Sequence, residues 1–143
     1  MPDCMISTDI IVGFCGETDE QFEDTAKLYE EIRWDMAYLS RYSMRRFTLA
    51  QKTMKDDVPK DEKGKRWHRL NDILTSVSLE KHRYFVGKTV EVLVERFEDD
   101  ICEGRSEHFK KTQFPGNEEL IGKFVKVKVT DAKEWNLIGE MVS

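Results

Sequence analysis

Apolar and polar positions along this chain change period as it runs, and each change marks an element. From residue 6 the chain reads Ile-Ser-Thr-Asp-Ile-Ile-Val-Gly-Phe-Cys-Gly-Glu-Thr-Asp-Glu-Gln-Phe, an apolar run that breaks into a glycine loop and then a helix. Ile10, Ile11 and Val12 are consecutive β-branched residues, the pattern of a parallel strand covered on both faces. Gly13 and Gly16 then permit backbone conformations that other residues resist. Thr18 and Gln21 have capping-box spacing, and Phe22, Ala26, Tyr29 and Ile32 recur at helical intervals to form one apolar face. Residues 34–39 read as a second strand, so the stretch predicts a β-α-β unit whose ligand-facing edge lies at the carboxyl ends of its strands. A two-stranded parallel piece leaves both sheet edges open, which predicts the tail of a larger barrel and weak protection from hydrogen exchange over residues 1–53.

Residues 52–65 are strongly charged and read as a linker entering a helix, with Pro59 suited to the first turn because its missing N–H would be unpaired there anyway. Trp67, Leu70, Leu74, Val77, Lys81 and Tyr84 then step at helical intervals, with Ile73 widening the stripe, which predicts a long packed helix ending before Gly87. Beyond Gly87 the period falls to two. Val90, Val92 and Val94 alternate with Glu91, Leu93 and Glu95, and Val125, Val127 and Val129 alternate with Phe124, Lys126 and Lys128. Residues 101–105, 108–114 and 135–141 supply further short strands between turn-forming clusters. About five strands sharing an inner face predict a small closed or nearly closed barrel that folds as a unit, because closure removes open edges.

A chain of 143 residues with 39% apolar content has room for one ordinary domain or two small ones. No run approaches a membrane span and no basic-then-apolar leader opens the sequence, so a cytoplasmic address is expected. The net charge of −5 argues against non-specific coating of nucleic acid but leaves room for a local basic stripe. Cys4, Cys15 and Cys102 form no C-x-x-C pair and read as ordinary reduced thiols. His68, His82 and His108 are scattered, and no Walker loop, zinc signature or nucleophilic triad spacing is present, so no catalytic residue and no metal ligand are assigned.

Residues 8–18, Thr-Asp-Ile-Ile-Val-Gly-Phe-Cys-Gly-Glu-Thr, resemble the T-D-I-I-V-G-F-P-G-E-T run late in the radical SAM barrel of the methylthiotransferases, most closely the branch that thiomethylates isopentenyladenosine beside the anticodon of tRNA. Cys15 stands where that family has proline. Residues 42–50, Tyr-Ser-Met-Arg-Arg-Phe-Thr-Leu-Ala, resemble its Y-S-P-R-P-G-T-P-A loop, with Met44, Arg46, Phe47 and Leu49 replacing three prolines and a glycine. Residues 86–95, Gly104-Arg105-Ser106, 120–125 and 135–140 are similar to the strands of the TRAM module that ends those enzymes and binds RNA, although Phe109 stands where many relatives have asparagine.

The resemblance implies an α/β remnant of a radical SAM barrel over residues 1–53, a charged linker and long helix over 54–85, and an all-β, OB-like TRAM barrel over 86–143. It implies a transferase family using SAM and 4Fe-4S clusters. A cluster needs three cysteine thiolates of a C-x-x-x-C-x-x-C loop, which this chain lacks, so the chain alone is expected to hold no cofactor and to be inactive. Carried over by position, Asp9, Gly13, Phe14, Ser43 and Arg45 are the expected SAM-side residues. Arg105, Lys110, Lys111, Lys126 and Lys128 are the expected RNA-binding residues, with affinity falling steeply as salt rises. The expected partners are tRNA around the anticodon stem-loop and the amino-terminal part of such an enzyme, with no membrane and no DNA. A stand-alone RNA-binding TRAM protein, and a relative acting on a ribosomal protein, are the alternatives.

Overall fold

The structure, a computed structural model, describes residues 5–142; Cys4 therefore lies outside the described residues. The chain divides into two compact units, Ile6–Leu74 and the part from Thr75 onward.

In the first unit, strand β1 (Ser7–Val12) leads through the glycine loop into helix α1 (Asp19–Ile32), and the chain returns as strand β2 (Met36–Arg41). The two strands pair in parallel, Ser7 with Met36 through Val12 with Arg41. The expected capping box forms: the Thr18 hydroxyl accepts from the Gln21 N–H and the Gln21 side chain accepts from the Thr18 N–H. Phe22, Ala26 and Tyr29 are buried as their spacing predicts, whereas Ile32 at the helix end is 48% exposed. A short helix α2 (Leu49–Thr53), capped by Thr48, interrupts a segment expected to be irregular.

Helix α3 (Lys60–Arg83) follows, divided between the two units at Leu74. Leu70 joins Val12, Phe22 and Ala26 in one apolar cluster, and Leu74 joins Tyr29 and Ala37 in another, while the Trp67 indole donates to the Leu39 carbonyl at 3.1 Å. The sheet is therefore covered on one face. On the other, Ile11 is 57% and Tyr38 56% exposed, so the run 10–12 is not covered on both faces as its composition suggested. Tyr29 is fully buried with no hydrogen-bond partner for its hydroxyl among the described residues; burial, reinforced by the charge of Asp35, pushes its pKa up to about 12.

In the second unit the end of α3 is tied to the turn before the last strand: the Ser78 hydroxyl donates to the Glu134 carbonyl at 2.5 Å and His82 Nδ1 meets the Lys133 carbonyl at 2.7 Å. Strands β3 (Thr89–Glu98), β4 (Ile101–Ser106), β5 (Lys111–Pro115), β6 (Phe124–Ala132) and β7 (Leu137–Met141) form a closed barrel in the order β3-β4-β5-β7-β6. All neighbours are antiparallel except β5 and β7, whose parallel pairing closes the sheet. Val90, Val92, Val94, Val127 and Val129 point inward with Cys102, Phe114 and Leu137, as the period-two pattern requires.

Closure needs sharp bends, and two glycines supply them in the same way. Gly104 pairs with Val94 beside a register shift between Val94 and Arg96, and Gly139 pairs with Val129 beside a shift between Val129 and Asp131. At each bend a strand crosses where no side chain fits.

The β3–β4 hairpin turns on Asp99 and Asp100, both at positive φ (49° and 63°). A two-residue loop of this kind favours Asn-Gly, since most side chains resist the left-handed region. The double substitution Asp99→Asn/Asp100→Gly is expected to stabilise the barrel by about 0.5–1 kcal/mol, read as a higher thermal midpoint. An unchanged or lower midpoint would mean that the aspartates hold the turn by contacts of their own.

Candidate nucleic-acid interface

Pairing registers set the outer face of the barrel. Leu93 on β3 stands opposite Phe124 on β6 and Arg105 on β4, and Arg105 stands opposite Lys111 on β5. Directly paired antiparallel residues share a face, so Phe124, Leu93, Arg105 and Lys111 form one row across four strands on the outer surface. Lys126 and Lys128 extend it along β6, facing Glu91 and Thr89 on one side, with Glu140 opposite Lys128 on the other.

The cations differ in availability. Lys126 and Lys128 are exposed and carry no ion pair among the described residues. Lys111 meets Glu103 at 2.9 Å, and Arg105 meets Glu95 at 3.8 Å. Burial alone would push the Glu103 carboxyl up, but hydrogen bonds from Lys111 and Gln113, with Lys111 and Arg96 as nearby charges, hold it below the usual carboxylate range.

Lys110 corrects an expectation: it is only 4% exposed and does not share the outer face with Lys111. Neighbouring strand residues point to opposite faces, so an outward Lys111 requires an inward Lys110, in phase with buried Thr112 and Phe114. Phe124 was missed. It is 67% exposed and in phase with Lys126 and Lys128, a signal the alternation already carried. Phe109, 59% exposed, lies beside the row with the Arg105 guanidinium 4.7 Å over its ring.

In the first unit, Phe14, Ser43 and Arg45 line one open hollow of about 410 Å³ at the carboxyl ends of β1 and β2, with Ile11, Ser40 and Tyr42 among its other lining residues. Phe14 and Tyr42 meet edge to face, their ring centroids 4.9 Å apart. The Tyr42 hydroxyl, hydrogen-bonded to Cys15, is held above the usual tyrosine range. Aromatic rings beside a guanidinium and hydroxyls fit a nucleoside that carries a carboxylate.

Asp9 and Gly13 are not brought to this hollow. Asp9 is exposed on β1, paired with Tyr38 on the uncovered face of the sheet. Gly13, at φ 72°, is buried beneath the chain's own Lys63: an added Cβ would collide with the Lys63 stem. Lys63, only 4% exposed, donates to Asp56 at 2.5 Å and to the Tyr42 carbonyl at 3.2 Å, while the Gly13 N–H donates to Glu17 at 2.6 Å. Among the described residues the thiols are Cys15 and Cys102, fewer than the three that a radical SAM cluster loop supplies. Among the described residues no three His, Cys, Asp or Glu side chains cluster to hold a metal, and Cys15 and Cys102 belong to different units.

Comparison with known proteins bears on both units. Residues 83–142 match the TRAM domain family. Over 99% of its length the chain is 49% identical to the tRNA-2-methylthio-N(6)-dimethylallyladenosine synthase of Bacillus subtilis, and over the same share 47% identical to that of Bacillus licheniformis. It is 44% identical over its full length to the synthase of Geobacillus kaustophilus. The chain spans only 27–28% of the length of these relatives, matching their carboxyl-terminal part. No helix among the described residues is long and apolar enough to cross a membrane.

Proposed function

Because this chain corresponds to the carboxyl-terminal part of the tRNA methylthiotransferases, TRAM domain included, we propose that it contributes tRNA binding to the 2-methylthiolation of a dimethylallyladenosine beside the anticodon. The observation that carries this reading is the outer barrel face, where Lys126 and Lys128 stand exposed and in no ion pair among the described residues, with Glu91 and Glu140 only as cross-strand neighbours, in a chain whose relatives are named as tRNA-modifying synthases. These relatives favour RNA over a ribosomal protein as the substrate.

The first unit belongs to the same reading as the last part of a radical SAM barrel. Parallel β1 and β2, joined through a helix, form a two-stranded sheet whose outer edges pair with no strand among the described residues, which suits continuation by further strands from the amino-terminal part of the enzyme, and its uncovered face with Ile11 and Tyr38 suits the inside of the completed barrel. Phe14, Ser43 and Arg45 would hold SAM, the guanidinium taking its carboxylate and the ring packing on its base. SAM supplies the radical and methyl chemistry when a cluster is bound elsewhere in the enzyme. This chain's own part is to position SAM through these side chains.

The test is tRNA binding by the full chain at two salt concentrations, for the wild type and for Lys126→Ala/Lys128→Ala. Each lysine that contacts a phosphate contributes roughly one unit to the salt slope, so the double variant should bind more weakly and with a slope about two units shallower. Unchanged affinity in the variant would remove both lysines from the RNA face, and no binding by the wild type would overturn the reading.

A further inference from the structure

We propose that the outer barrel face is built to stack unpaired RNA bases, with Phe124 as one platform and the Arg105–Phe109 pair as a second, so that the domain takes single-stranded loops in preference to duplex. This rests on the RNA-binding reading above and gives it a substrate class.

Phe124 is a large aromatic, 67% exposed, at the start of β6, and the residue before it is already tied to the barrel, the Lys123 carbonyl accepting from the Val94 N–H at 3.0 Å. It is not a stray ring at a frayed end, for it is register-paired with Leu93. Phe109 is held out in a more demanding way. Its φ is 60°, a region that bulky side chains resist, and the loop fixes it there: the Ser106 N–H donates to the Lys110 carbonyl at 2.9 Å, the Phe109 N–H donates to the Ser106 carbonyl at 2.8 Å, and the Ser106 hydroxyl accepts from the Lys110 N–H at 3.2 Å. The Arg105 guanidinium, 4.7 Å from that ring, adds a second flat surface. Exposed rings standing beside cations, with half-buried Leu93 between, do not make the apolar core of a protein interface. They suit bases, whose faces stack on rings and guanidinium planes while lysines meet the phosphates. Two interstrand spacings separate Phe124 from Arg105, about 10 Å, so one unpaired segment can engage both platforms. Bases inside a duplex expose no face to either ring.

Arg105 and Lys111 already sit beside Glu95 and Glu103, leaving Lys126 and Lys128 as the cations of this row in no ion pair among the described residues. Two phosphate contacts on a single strand give a salt slope of roughly −1.4, so a fourfold rise in salt weakens binding about sevenfold. One stacked base is worth about 5- to 150-fold. One stacked base is therefore worth about as much as a fourfold change in salt, or more, and with two phosphate contacts the salt dependence of single-stranded binding is shallow.

The experiment measures binding of the full chain to a short single-stranded RNA carrying 2-aminopurine, and to the same strand annealed to its complement. The wild type should bind the single strand at least tenfold more tightly and quench the 2-aminopurine. Phe124→Ala should lose about tenfold or more of that affinity together with the quench, and Phe124→Tyr should retain both. Phe109→Asn separates function from folding, because asparagine tolerates a positive φ: it should raise or preserve the thermal midpoint while weakening single-strand binding. Equal affinity for single strand and duplex, or full quenching by Phe124→Ala, would overturn the stacking proposal. If Lys126→Ala/Lys128→Ala weakens binding while the phenylalanine variants do not, RNA binding stands and stacking falls; if the wild type binds neither RNA, both fall.

Discussion

Replacing Gly104 with alanine is expected to unfold the barrel at a temperature roughly 12–24 °C lower, the equivalent of about 3 kcal/mol in a domain of this size. The added methyl would lie inside van der Waals contact of the Leu93 carbonyl and 2.9 Å from Val92 Cγ1. Neither can yield cheaply. The carbonyl belongs to the β3 backbone where Leu93 pairs with Arg105 on one side and Phe124 on the other, and Val92 is a fully buried core residue. Gly122→Ala is the control: its φ is 79°, but nothing lies within 4 Å of the added Cβ, so the loss should be only about 1 kcal/mol. Thermal melts of both variants followed by circular dichroism would decide the matter, and equal midpoints would show that close packing at Gly104 does not constrain the barrel.

The second large effect concerns the first unit. Arg66 is only 4% exposed, and its guanidinium donates to Glu17 and Asp19, each at 2.6 Å, to the Glu17 carbonyl at 3.1 Å, and to Glu62 at 3.3 Å. Burial alone would lower its pKa, but hydrogen bonds to Glu17 and Asp19 raise it above its already high value, so it stays charged. Arg66→Ala strands the Glu17 carboxylate, whose side chain is 14% exposed, near the loop that Gly13 enters. Breaking a buried pair from one side costs about 3–5 kcal/mol, and because Asp19 is 88% exposed and readily hydrated, the low end applies. Hydrogen exchange gives the readout. Amides of β1, α1 and β2 should lose protection while those of the barrel strands keep it, and undisturbed protection in β1 would show that the carboxylates are satisfied without Arg66. Arg66→Lys should fall between, since an ammonium cannot reach three partners as a planar fork does.

Much of this protein is determined by the sequence alone, because local periods depend only on neighbours along the chain. The Thr18–Gln21 capping box, the buried stripe of α1, the inward valines of β3 and β6 and the outward Lys126 and Lys128 all follow from spacing, and each is present in the structure. The short α2 was hidden by composition, although its Thr48 cap was readable. Lys110 and Phe124 were equally readable, since strict alternation places one inside and the other outside once β5 and β6 are phased correctly. Only the tertiary structure decided how the barrel closes, because closure depends on which distant edges meet: β5 joins β7 in parallel, and Gly104 and Gly139 bend strands beside two register shifts. It also decided what lies over Gly13. Spacing marked that glycine as a place of close approach, but the group that approaches is Lys63, 50 residues along the chain, and burial in a packed unit rather than any local pattern put it there.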